Sequence, residues 1–245
     1  MKILAVSDKE DTKIQDFIFQ NQKIVKEIDF IVSCGDLSKK YLEFIVDSVK
    51  KNFFFVEGNH PAFDNTPIKN YLNKVIDKIY DDEQHFSLGG TNLHARMEIF
   101  KDYILVGFEG AMRYNKKSYQ YTEKEMSKIV NKVAFRIKIQ QFFDFIFRRK
   151  KKQIIVISHA PISNIHDKQD TCHKGFICFK NFLDIFKPLI WLHGHIHFEG
   201  QTIDQITKVN NTTVINVCGF HIVNIEDDEV KVISNIRTLI PENHK

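Results

Sequence analysis

Apolar residues recur along this chain in runs of only a few positions, and most of these runs stop abruptly at a carboxylate, an amide, a glycine or an imidazole. The runs at 2–7, 30–33, 52–57, 103–108, 154–158 and 189–192 are short, bounded by polar residues, and read as strands. Segments 14–28 and 41–51 instead carry apolar residues at i, i+3/i+4 spacing. Segment 122–152 opens on Thr122-Glu123-Lys124-Glu125, a capping-box pattern, and continues as a long amphipathic run. Strands and helices alternating in this order predict a largely parallel sheet. After 192 the pattern shifts to short runs at 200–209, 213–217, 220–226 and 230–235, the first two separated by Asn210-Asn211, which predicts an antiparallel tail. Two sheets packed face to face with helices outside would bury both sets of strands. The expected fold is therefore α/β: a four-layer α/β/β/α sandwich of two mixed sheets flanked by helices, formed as one domain over residues 1–245.

No run of apolar residues is long enough to span a bilayer, and the five apolar positions after Lys2 are too few for the core of a secretion signal. A soluble protein without membrane insertion is expected. Cys34, Cys172, Cys178 and Cys218 show no CxxC spacing, which points to free thiols in a reducing cytoplasm. The net charge of +4 is modest, and the basic run Arg148–Lys152 reads as the solvated end of the preceding helix, so nucleic acid is not the favoured partner. No GxSxG, Walker loop or GxGxxG occurs, which sets aside serine hydrolases, P-loop nucleotidases and dinucleotide enzymes.

What remains is polar chemistry at strand ends, where open α/β sheets gather their ligands. Five ends are populated: Ser7-Asp8-Lys9-Glu10, Gly35-Asp36, Gly58-Asn59-His60, His159-Ala160-Pro161 and His193-Gly194-His195-Ile196-His197. Each alone has a plain structural reading, as a helix cap or a turn. Alternate histidines in an extended segment face opposite ways, so His195 and His197 converge only in a turned loop. Together the five supply oxygen and nitrogen donors without cysteine, a set suited to a pair of hard or borderline metals.

The order D-x-E, G-D, G-N-H, S-H-A-P, G-H-x-H resembles the calcineurin-like metallophosphoesterases. The resemblance implies that Asp8 and His197 hold one metal, that Asn59, His159 and His195 hold the other, and that Asp36 bridges them. His60 would stand outside the metals and donate a proton to the leaving oxygen or stabilise phosphoryl charge. It further implies hydrolysis of a phosphomonoester or phosphodiester by a hydroxide held between two divalent or trivalent metal ions. Glu10 departs from the family, which more often has histidine there. As a ligand it would add negative charge and favour Mn, Fe, Ni, Co or Mg over Zn; otherwise it is a carboxylate beside the site or facing solvent.

Three further residues are candidates for substrate binding. Arg113, in the glycine-containing loop Gly107–Asn115, suits a bidentate phosphate contact, or else pairs with a surface carboxylate; Tyr114 beside it is a weaker candidate. Asp170 and His173 lie in a polar loop ahead of a helix at 176–186, three apart, and share a face if that helix starts early. His85, His94, His166, His221 and His244 have no such company, and His193 is expected to pack or hydrogen-bond at its strand end. The substrate expected is a small, soluble phosphate ester. A nuclease of the same superfamily and a non-catalytic metal-binding scaffold are the alternatives.

Overall fold

The computed structural model describes residues 1–60, 89–115, 117–197 and 205–234. The first half of the chain forms β1 (Lys2–Ser7), α1 (Lys13–Gln20), α2 (Gln22–Glu27), β2 (Phe30–Ser33), α3 (Lys39–Val49), β3 (Asn52–Phe55), β4 (Thr91–Asn92), β5 (Met97–Phe100) and β6 (Tyr103–Phe108). It continues through β7 (Ala111–Met112), β8 (Gln120–Tyr121), α4 (Glu123–Ile146), β9 (Gln153–Ser158), α5 (Ile177–Phe186) and β10 (Ile190–His193). The tail supplies β11 (Gln205–Val209), β12 (Thr212–Asn216), β13 (Gly219–Glu226) and β14 (Glu229–Ser234).

Two six-stranded sheets result, in the orders β14-β13-β1-β2-β3-β4 and β11-β12-β10-β9-β6-β5. Their layering follows from the two-residue period of a strand, which sends alternate side chains to opposite faces. In β1, Ile3 and Ala5 enter the apolar layer between the sheets, while Leu4 and Val6 enter the layer beneath α1, α2 and α3. In β9, Ile155 and Ile157 face the same inter-sheet layer, and Ile154 and Val156 pack under α4 and α5 with Phe179 and Trp191. Three apolar layers separate four structural ones, so the α/β/β/α sandwich of two mixed sheets is the observed fold.

Several elements differ from expectation. The helix expected over 14–28 is two helices broken at Asn21, whose side-chain amide donates to the Phe17 carbonyl beside its own backbone N–H and caps the first helix. The capping box on Thr122 and Glu125 forms as expected, yet α4 ends at Ile146, so the basic run lies beyond the helix rather than in its last turn. The tail is antiparallel within its own hairpins, but β12 joins β10 in parallel while β13 pairs antiparallel with β1 in the other sheet. Strands β4, β5, β7 and β8 were not foreseen. Of the strand expected at 200–209, residues 200–204 lie outside the described residues.

Gly107 of β6 lies against Leu93 and Val56 of the inter-sheet layer. A Cβ there would lie 2.4 Å from Leu93 Cβ and 2.8 Å from Val56 Cγ1. Overfilling a packed layer of this kind typically costs about 1–3 kcal/mol. Gly107→Ala should therefore lower the midpoint of urea unfolding by a corresponding amount, and an unchanged midpoint would show that the layer has room.

Candidate metal centre

The C-terminal ends of β1, β2 and β3 in one sheet meet those of β9 and β10 in the other, and backbone hydrogen bonds tie the loops that leave them. Asp8 N–H donates to Gly35 O at 3.1 Å, and Gly194 N–H donates to His159 O at 3.1 Å. The backbone N–H of His195 reaches across the seam to both carboxylate oxygens of Asp8, at 3.0 and 2.9 Å. Asp8, Asp36 and His195 all hold positive φ, at 60°, 55° and 70°. Such left-handed turns at non-glycine residues carry strain and concentrate where a side chain must be aimed.

Two glycines make the close approach possible. A Cβ on Gly58 would sit 1.8 Å from Asp36 Oδ1, and one on Gly194 would sit 2.2 Å from Asp8 Oδ2. Neither position has space for a side chain.

His159 is fully buried, and its Nδ1 lies 2.8 Å from the carbonyl oxygen of Cys34. A carbonyl can only accept, so Nδ1 carries the proton. Nε2 then faces Asn59 Oδ1 at 2.9 Å and Asp36 Oδ2 at 3.4 Å. Three acceptors held this closely repel one another unless a proton or a cation stands among them. Asn59 is turned to present its oxygen because its Nδ2 donates to the Tyr114 hydroxyl at 3.3 Å. His195 is oriented the same way: Nε2 lies 2.8 Å from the Cys172 carbonyl oxygen, which leaves Nδ1 for a metal. One ligand atom each from Asp36, His159 and His195 lies within 4.8 Å of the others. Both imidazoles thus have the outer-nitrogen hydrogen bond typical of metal-ligating histidines, and the donor set fits a cation.

Asp8 and His197 form the neighbouring pair, with His197 Nε2 3.2 Å from Asp8 Oδ1. The Asp8 carboxylate is buried and also accepts from Ser7 Oγ at 2.5 Å, while the His197 ring is half-exposed. His60 is exposed, and its N–H donates to Asp36 Oδ1 at 2.8 Å. Glu10 is exposed, and its Oε1 accepts the N–H of Ser38 at the start of α3. The clusters of convergent ligand atoms among the described residues do not include it.

Arg113 pairs with Glu125 at 2.9 Å and donates to the Gln120 carbonyl at 3.1 Å, so its guanidinium fastens the β7–β8 loop to the first turn of α4. Asp170 and His173 do meet, but in a turn ahead of α5 rather than on an early start of that helix. Asp170 Oδ1 accepts from His173 N at 3.0 Å and lies 2.8 Å from its Nδ1. The His173 ring sits 5.2 Å from that of His195, and its ligand atom groups with those of Cys172 and His195.

Three residues near the centre gain a structural context that their sequence positions alone did not reveal. Tyr114 touches Asn59 and hydrogen-bonds the Cys172 thiol. His166 is not isolated: its Nδ1 lies 2.9 Å from Nε2 of buried His193, and its Nε2 lies 2.7 Å from Thr207 Oγ1. His94 stacks on Tyr121 and accepts the Glu109 N–H. None of these contacts has a sequence signal, because each joins segments far apart in the chain. His85 and His244 lie outside the described residues.

The electrostatics follow from burial and pairing. Burial opposes charge on His159, but the Asp36 carboxylate overrides it by attraction and hydrogen bonding and pushes the imidazole up to about 9. Burial likewise works against the Asp36 carboxylate, which His159 holds well below the usual range. His195 is pushed down to about 4, by burial first and by His159 second. The hydrogen bond that His197 donates to the Asp8 carboxylate raises the pKa of His197.

This fold, with oxygen and nitrogen donors gathered at its strand ends, is that of the metallophosphoesterases. The model of the calcineurin-like phosphoesterases matches residues 1–199, and the chain belongs to that family. None of the curated proteins matches it in sequence. Among solved structures it is similar to TT1561 of Thermus thermophilus, with 12% identity, TM-score 0.55, and coverage of 96% of this chain and 99% of that one. It is also similar to a dimetal phosphatase from Danio rerio, with 12% identity, TM-score 0.53 and 95% of each chain covered. At these identities the likeness is one of fold.

A neutral imidazole is needed to ligate a metal, and His159 is protonated near neutral pH when no metal is bound. Mn²⁺ binding to metal-free protein should therefore release at least about one proton per chain, from His159 with a further share from His197. Titration calorimetry in buffers of different ionisation enthalpy would measure it, and a buffer-independent heat would contradict the assignment.

Proposed function

We propose that the protein hydrolyses a small, soluble phosphomonoester or phosphodiester at a two-metal centre. Asn59, His159 and His195 form one ligand set, Asp8 and His197 the other, and Asp36 lies between them. The observation that carries this reading is the inward convergence of His159 Nε2, Asn59 Oδ1 and Asp36 Oδ2. Glu10 is assigned to the Asp8 set through Oε2, since Oε1 holds Ser38. Metals bound there would lower the pKa of a water nucleophile and neutralise charge on the phosphoryl oxygens.

The protein's own groups do the remaining work. Asp36, accepting the His60 N–H, keeps the His60 backbone at the centre, and the His60 imidazole would donate a proton to the departing ester oxygen. Asp170 accepts the proton on His173 Nδ1 and so leaves the Nε2 lone pair to accept from a hydroxyl of the substrate. Tyr114 accepts from Asn59 and thereby keeps the amide oxygen aimed inward. Arg113 is occupied by Glu125 and Gln120, which supports an anchoring role over direct phosphate contact.

Hydrolysis of a bis-aryl phosphate and of an aryl monophosphate, with Mn, Fe, Ni, Co or Mg supplied, tests the reading and separates diesterase from monoesterase. Asp36→Asn and His195→Ala should each lose on the order of 10²–10³-fold in turnover with the circular dichroism spectrum kept. His60→Ala should lose roughly 10²-fold or more, chiefly on the substrate with the poorer leaving group. Absence of turnover with every metal would leave a non-catalytic scaffold as the better account. Metal content measured on Glu10→Ala should fall or weaken at one of two positions; two metals retained at unchanged affinity would remove Glu10 from the centre.

A further inference from the structure

Helix α4 is apolar on two opposite sides. One side, with Met126, Val130, Val133 and Ile137, is buried against the sheet of β9. About half a turn away, Phe135, Ile139, Phe142 and Ile146 follow one another at intervals of four, three and four, which sets them in a single stripe along the helix. Phe145 and Phe147 widen it at the C-terminal end. These side chains are between 40% and 81% exposed, an unusual concentration of uncovered aromatic surface on one helix.

The charge around the stripe has one sign. Lys128, Lys132, Arg136 and Lys138 are exposed along the helix, and residues 148–151, Arg-Arg-Lys-Lys, are exposed directly after it. The three acids of α4 are turned to other tasks. Glu123 accepts the N–H groups of Ile177 and Cys178, Glu125 closes the capping box and pairs with Arg113, and Asp144 is buried with Lys152. None offsets the cations beside the stripe.

We propose that this face binds peripherally to an anionic lipid bilayer, with the Phe and Ile side chains entering the headgroup boundary and the cations meeting lipid phosphates. Apolar side chains flanked by Lys and Arg are the combination such an interface selects. A second copy of the chain would bring two like-charged rims together, and nucleic acid would engage the cations while leaving the aromatic stripe in water. No helix among the described residues is long and apolar enough to cross a membrane, so the helix lies along the surface. Its N-terminal turn adjoins the metal centre through Arg113 and the start of α5, whereas the stripe occupies the other end. At 24 residues the helix is about 36 Å long, so docking leaves the catalytic end in water.

Co-sedimentation of the full chain with vesicles of phosphatidylcholine alone, or of phosphatidylcholine with phosphatidylglycerol, tests this directly. Binding is expected only to the anionic vesicles and should weaken with salt. Phe142→Ser combined with Phe145→Ser should reduce it at least about tenfold. Arg148, Arg149, Lys150 and Lys151 replaced together by Gln should reduce it by about fivefold per charge. The substituted side chains are exposed, and unchanged thermal melting of both variants would separate lost binding from lost folding. Failure of the wild type to bind anionic vesicles, or equal binding by the Phe→Ser variant, would overturn the proposal. So would a concentration-dependent dimer in light scattering that the same variant abolishes, since the stripe would then belong to a second copy.

Discussion

Carboxylate, amide and imidazole acceptors buried within a few ångströms of one another are mutually repulsive, and the architecture of this protein is organised around holding them there. His159, Asn59 and Asp36 face inward from three loops, and each has its outward atom engaged: Nδ1 on Cys34, the Asn59 amide on Tyr114, Asp36 Oδ1 on the His60 N–H. With their other contacts satisfied, the inward atoms are left for a proton or a cation. The raised His159 pKa expresses that demand, because the Asp36 carboxylate favours a proton on the imidazole.

Holding the acceptors also joins the sheets. The His195 N–H to Asp8 and the His159 imidazole to the Cys34 carbonyl both cross from one sheet to the other, above the apolar cluster that fills the inter-sheet layer. Site and fold are therefore coupled at the seam. Backbone strain at Asp8, Asp36 and His195 is tolerated because these bonds and the packing beneath them leave no relaxed alternative.

The same strand direction that gathers these side chains sets the two ends of α4 in different surroundings. Helix α4 runs back from the centre to the start of β9, so its capped N-terminal turn buttresses the site through Glu125 and Glu123. Its Phe-rich last turns and the basic segment after them lie at the opposite end, where they constrain nothing in the chemistry and are available to a surface.

Much was legible from sequence because it is local. Strand period, helix period and the capping box each depend on residues within one segment, and the ordered motifs from Asp8 to His197 mark the strand ends whatever their distance apart. The division of the tail between two sheets was not legible, since pairing of β13 with β1 and of β12 with β10 is a choice among partners of similar apolar character. Nor were the roles of Arg113, Glu10 and Tyr114. An arginine, a carboxylate or a phenol reads alike in sequence whether it meets a substrate, a helix N-terminus or another side chain. Sequence by itself determined which donor atoms are present and which segments carry them. Only tertiary structure decided which lone pairs face one another, because that depends on hydrogen bonds donated to the Cys34 and Cys172 carbonyls and the Tyr114 hydroxyl, groups that packing across the seam sets against side chains of other segments.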